Sequence, residues 1–163
     1  MNSIGCFWRF SMLRVAPVLL PLAIIVVTGI QGLDFGNHWD EKGYQLVPVK
    51  TMLSLRAPFP GHYGYPSFDY WVISAALLPD VVKVWGERAD RVKILQDVVE
   101  SQSFLLRVRG VFLILAAMSI FWVYLLVLRW RASWQEALLA ACFLAFSWEV
   151  AYHIRWIATD GIL

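Results

Sequence analysis

Residues 110–128, GVFLILAAMSIFWVYLLVL, run without a single charge. A helix needs about 20 apolar residues to cross a hydrocarbon core about 30 Å thick, and inside that core only a helix or a closed barrel satisfies its own backbone. The run therefore predicts a membrane-spanning helix over 105–129, with Arg107 and Arg109 before the apolar part and Arg129 and Arg131 after it. Two further runs have the same character. VAPVLLPLAIIVVTGIQGL predicts a first span over 13–33, and WQEALLAACFLAFSWEVAY a third over 135–153. The whole chain agrees: 60% of its 163 residues are hydrophobic, 16% are charged and the mean hydropathy is +0.60, more apolar than soluble domains are.

Composition also removes alternatives. A net charge of +2 with no basic run gives nucleic acid nothing to hold. Cys6 and Cys142 are the only cysteines and lie in or beside apolar segments, which predicts inert packing and no disulfide framework. A cleaved signal peptide would share the basic start at Arg9 and Arg14, but the apolar stretch is long for one and no A-x-A-like site follows. An uncleaved first span with a cytoplasmic N-terminus is the expectation.

Between spans one and two lies a mixed segment, 34–104. DEKGYQLVPVKTMLSL predicts a short helix with Asp40 as its N-cap and a kink or stop at Pro48. The Pro and Gly cluster APFPGHYGYPS marks an irregular loop. SFDYWVISAALLPDVVKVW is apolar enough to lie on a membrane, but Asp69, Asp80 and Pro79 make it too broken to cross. GERADRVKILQDVVESQSF predicts an amphipathic helix with Val92, Leu95, Val98 and Val99 inward. The fold class expected is all-α integral membrane: three spans, a long extracytoplasmic first loop with short juxtamembrane helices, and the start of a fourth span after the second outer loop, 154–163. A chain of this kind reads as the N-terminal part of a larger multi-span bundle.

Counting spans from an inside N-terminus sets sidedness. Loop 34–104 lies outside and span three exits on the same side, so Asp40 and Glu41 share an extracytoplasmic face with Arg155 and Asp160. Five Lys or Arg in 87–109 run against the positive-inside rule, which weakens for outer loops longer than about 60 residues.

That shared face holds the candidate chemistry. Asp40 and Glu41 can be solvated carboxylates at a positive helix end, or one can act as general base on a hydroxyl while the other positions it. Arg155 can be an interfacial anchor or a bidentate phosphate clamp, with His153 as a further donor to the same phosphate. Asp160 can cap the next helix. Glu149 near the outer end of span three is an ionisable group in a membrane segment and hence a candidate by position. Tyr65, in the aromatic stretch HYGYPSFDYW, can belong to an interfacial aromatic belt or stack on a sugar or a prenyl chain. His38 and His62 lack ligand spacing, so no metal motif exists. Asp40, Glu41 and Asp160 can nonetheless converge on a divalent cation.

In order, WDEKGYQL, YGYPSFDYWV, FLLRVRGVFLIL and IRWIATDGIL resemble the motifs of the C-type membrane glycosyltransferases that use polyprenyl-phosphate-linked sugars. Within that family the chain is most similar to relatives of the protein mannosyltransferases and of lipid A aminoarabinose transferase. Ser67 and Gly110 depart from the family's second loop proline and its small polar residue. The resemblance implies a multi-pass enzyme of a plasma or endoplasmic reticulum membrane. Such an enzyme moves a sugar, with inversion, to a hydroxyl of a protein, lipid or glycan acceptor. Asp40 and Glu41 would be the catalytic carboxylates, and Arg155, Asp160, His153 and Tyr65 would bind the donor phosphate and sugar. A transporter or channel subunit, or a non-catalytic membrane assembly protein, are the competing classes.

Overall fold

The computed structural model describes residues 12–158 apart from 37, 63, 65 and 87–89. Tyr65, Asp160 and Cys6 lie outside the described residues. Among those described, all regular structure is helical.

The first apolar run forms α1, Ala16–Gly32, led in by a helical turn at Met12–Val15. Its prolines, Pro17 and Pro21, sit in the opening turns, where a missing N–H breaks least. The polar segment then begins with a π-helical stretch, Glu41–Leu46, continuous with α2, Val47–Leu55. Pro48 falls where the π-helical stretch passes into α2, in the first turn of α2, where a missing N–H costs least. Asp40 does precede the helix, but its side chain caps no backbone N–H. Arg56 closes α2 in the left-handed conformation, φ 50°.

Next come α3, Ser67–Ala76, and α4, Leu78–Val84. The break between them at Leu77 falls two residues before Pro79, whose ring clashes with a preceding helical turn. Helix α5, Arg91–Glu100, starts at an N-cap: the Asp90 carboxylate accepts from Val92 N and Lys93 N at 3.1 and 3.3 Å. Its Leu95 and Val99 are buried, as the amphipathic pattern requires.

Helix α6, Gln102–Arg131, has 30 residues and so reaches about 45 Å. It alone among the described helices is both long and apolar enough to cross a membrane. Helix α7, Trp134–Ala145, stops after 12 residues, and the chain breaks at Phe146 before α8, Trp148–His153, capped by Ser147 Oγ accepting from Val150 N. The single third helix expected over 135–153 is thus two pieces. Ser147 is the cause: its side chain offers the backbone a cap in mid-run, and capping competes with helix continuation.

Two cores result. Helices α1, α6 and α7 touch one another as a bundle around Val18, Ile25, Leu113, Ile120 and Leu128, with Ala137, Ala141 and Ala145 fully buried at every fourth position of α7. Small residues in that register let helix backbones approach closely. Gly29 does the same for α1: a methyl there would stand 2.5 Å from Leu113 Cδ1. The bundle's outer face is apolar too, with Leu20, Val27, Trp122, Leu126 and Phe143 all exposed. A continuous apolar surface of this kind fits a lipid or protein partner and not water.

The second core is a helical head. Helices α2 to α5 pack with the N-terminal third of α6 around Val49, Tyr70, Ile73, Val99 and Phe104. Along α6 the buried residues Phe112, Ala116, Ile120, Tyr124 and Leu128 recur every fourth residue, a spacing that drifts about 40° per step around a 3.6-residue helix. One end of α6 therefore serves the head and the rest serves the bundle.

Candidate functional site

The π-helical stretch begins at Glu41, with Asp40 immediately before it. Its widened turn departs from the 100° step between neighbours, and Asp40, Glu41 and Gln45 all face inward: Asp40 is 6% exposed and the other two are fully buried.

Glu41 is committed. Arg109 Nε donates to its Oε1 at 2.8 Å and Nη2 to its Oε2 at 2.5 Å, with both side chains at 0% exposure. The same guanidinium donates to the carbonyls of Leu33 and Gly36 at 2.5 and 2.6 Å, and it lies over the Phe35 ring at 4.3 Å. Glu41 also accepts from His38 N at 3.3 Å and from Ile157 N at 3.0 Å. One carboxylate and one guanidinium thus join the end of α1, the first loop, α6 and the segment after α8. A bidentate pair with its remaining valences filled is the geometry in which a buried ion pair is well compensated. Glu41, expected with Asp40 as a catalytic carboxylate, has both its oxygens occupied and no exposed surface.

Sequence reasoning missed Arg109, reading it with Arg107 as a basic flank of the second span. The signal was charge balance. Glu41, Asp69 and Asp80 sit in apolar surroundings and need compensation. Asp80 takes it from Arg107, which also donates to the Ala76 carbonyl at 3.1 Å. Asp69 accepts from Gln45 Nε2 at 3.3 Å, both fully buried. Two of the five basic residues that ran against the sidedness rule are therefore ion-pair partners in the head.

Around Asp40 the two loops meet through rings. His38 stacks on Trp156, centroids 3.8 Å apart and planes 16° apart, and its Nδ1 accepts from Asp40 N at 3.4 Å. From there aromatic contacts run outward both ways: through Trp39 to Tyr44 on the first loop, and through His153 and Tyr152 to Trp148 on α8. Trp39 is 75% exposed beside the buried Asp40. Trp156 is 5% exposed and its indole N–H has no partner among the described residues. An unmet buried donor costs about 1–3 kcal/mol.

His153 Nε2 lies 3.5 Å from Glu149 Oε2, and the Glu149 side chain is 78% exposed, outside any internal path. Arg155 is exposed and lies over Gly32, where a methyl would stand 2.8 Å from its Cδ. Asp40, His153 and Arg155 are thus carried by the two segments that meet at His38 and Trp156, while Tyr65 and Asp160 fall outside the described residues. Among those residues no three His, Cys, Asp or Glu gather as a metal site. Of the trio Asp40, Glu41 and Asp160, Glu41 is already held by Arg109. A cleft of about 340 Å³ opens on the outward side of the π-helical stretch, lined by Lys42, Lys50, Glu100 and Gln102 among others. Asp40 does not line it, so the cleft and the acidic site are separate.

No protein family model, no curated protein and no solved structure matches this chain.

Proposed function

We propose that the protein is a membrane glycosyltransferase that moves a sugar from a polyprenyl-phosphate donor to an acceptor hydroxyl, with inversion. In this reading α1, α6 and the α7–α8 pair are three spans and the head lies on the extracytoplasmic face. The described chain would be the mannosyltransferase-like start of a C-type fold.

The observation that carries the reading is the junction of the two loops. Residues 116 apart in sequence are tied at Glu41 and Ile157, and beside that tie His38, whose Nδ1 accepts from Asp40 N, stacks on Trp156, next in sequence to Arg155. In the reaction, Asp40 takes the proton of the acceptor hydroxyl as its oxygen bonds to the anomeric carbon. The bond from that carbon to the phosphate oxygen breaks, and the electron pair leaves on polyprenyl phosphate. Arg155 and His153 hold the charge that grows there, a role for which fixed positive groups are effective. The leaving phosphate needs no proton, so a single base suffices. Glu41 and Arg109 position Asp40 and do not touch substrate. The acceptor is a protein, lipid or glycan hydroxyl. The motifs require no cofactor, and a divalent cation would have to use ligands other than Glu41.

An ion or proton path would need Glu149 inside the bundle, whereas its side chain is exposed. The test is Asp40→Asn in full-length protein supplied with a labelled polyprenyl-phosphate sugar. Transfer should fall at least about 100-fold with expression unchanged, and retained turnover removes Asp40 from the base role.

A further inference from the structure

At the junction, the indole N–H of Trp156 is left without an acceptor among the described residues. Its ring is fixed from several sides: His38 stacks on it, His153 tilts against it at 5.3 Å and Tyr152 meets it edge-on at 6.3 Å. Its Nε1 is buried and has no hydrogen-bond partner among the described residues. Indole offers one donor and no acceptor, so only an acceptor atom can complete it. Buried polar groups without partners are uncommon enough to call for a cause.

The neighbours say which acceptor. In the tautomer whose Nδ1 accepts from Asp40 N, the His38 ring bears an N–H at Nε2, and that ring stacks on Trp156. Arg155, next in the chain, is exposed and makes no ion pair among the described residues. Arg109 does not compete, since Glu41 neutralises it. A ring N–H with an exposed guanidinium next to it in sequence favours an anionic oxygen over a neutral one.

We propose that the indole N–H of Trp156 binds a phosphate oxygen of a lipid-linked phosphate, received where the two loops meet. This rests on the transferase reading for the lipid chain, and on the unmet donor for the residue. The role is binding: Trp156 orients the phosphate that leaves, and Asp40 handles the proton.

The test uses full-length protein in nanodiscs, titrated with a short-chain polyprenyl phosphate, the matching polyprenol and inorganic phosphate. Trp156 is replaced by benzothienylalanine, which keeps the ring and drops the N–H. Affinity for polyprenyl phosphate should fall about 10-fold or more, the range of a hydrogen bond to a charged group, while that for polyprenol stays unchanged. Inorganic phosphate should bind at least about 100-fold more weakly than the lipid phosphate, lacking the apolar chain. Unchanged affinity for polyprenyl phosphate overturns the assignment. An equal loss for polyprenol makes the residue structural, and inorganic phosphate binding as well as the lipid removes the lipid source.

A measurement on the unaltered protein guards against a variant that fails to fold. The indole ¹⁵N–¹H signal, identified by its loss in Trp156→Phe, should move on adding polyprenyl phosphate but not polyprenol; an unmoved signal overturns the proposal. Binding needs no turnover, which separates the two readings. Sugar transfer that persists with an indifferent Trp156 sinks this assignment alone. Phosphate-selective binding without transfer to any hydroxyl sinks the transferase and leaves the donor in place.

Discussion

The head and the bundle are built from the same helical material but held by different forces. Among the described residues, every buried Asp, Glu, Gln and Arg lies in the head or at its seam: Asp40, Glu41, Gln45, Asp69, Asp80 and Arg109. The bundle's core is Val, Ile, Leu, Ala and one Tyr, whose hydroxyl donates to the Arg14 carbonyl. Close apolar packing fixes distance between helices and tolerates sliding. Buried ion pairs fix direction, at the cost of desolvating charge. A scaffold with only the first kind of core would have no means of holding one loop against another to within a hydrogen bond.

The sharpest way to break this contrast is Arg109→Met. It strands the Glu41 carboxylate in the interior, and stability should drop by about 3–5 kcal/mol, read as the midpoint of thermal unfolding in detergent. A shift close to zero would mean the head does not depend on its polar seam. Adding Glu41→Leu to that variant removes the stranded charge, but recovery should be partial. The carbonyls of Leu33 and Gly36 and the amides of His38 and Ile157 would still have lost their partners.

A bundle counterpart is Ala141→Leu, which forces a larger side chain into a fully buried seam and should cost about 1–3 kcal/mol. The contrast sharpens if this variant keeps donor binding while Arg109→Met loses it. Smaller again is Asp90→Ala at the cap of α5, about 1 kcal/mol.

The least effect belongs to the exposed pair Lys50–Glu100 between α2 and α5. The Lys50 ammonium, through its hydrogen bond and its charge, holds the Glu100 carboxyl below its usual 4.5. A carboxyl lowered on folding contributes stability above 4.5, which is lost as pH falls below that value through the folded one. In Glu100→Gln this acid sensitivity should vanish, and in the unaltered protein added salt should blunt it.

Much of the bundle could be read from residue patterns. The uncharged stretch 110–128 and the run ending at Leu33 predict α1 and α6 to within a few residues, because a long apolar helix depends on little beyond its own composition. Ser147 hid in the third run, since one polar residue in an apolar stretch breaks a helix only if its hydroxyl finds a backbone N–H. In the site, counting spans sets Asp40 and Arg155 on one face, and the two loops that carry them meet at Glu41 with Ile157 and at His38 with Trp156. The role of Glu41 was not legible: adjacent carboxylates look alike in a sequence, and the partner that separates their roles lies 68 residues away. Trp156 carried no sequence signal, because an indole beside an apolar helix is ordinary until its N–H is found without an acceptor among the described residues.

The Glu41 joint also orders events during synthesis. Its carboxylate emerges 68 residues before Arg109 and 116 before Ile157. At about 5–20 residues per second that is roughly 3–14 s before the first partner exists. Until then a closed head would bury an unmatched charge, so the first loop must wait, open and wet, for α6 to be made. The seam that gives the site its geometry therefore also acts as a timer, delaying closure of the head until α6 has been made.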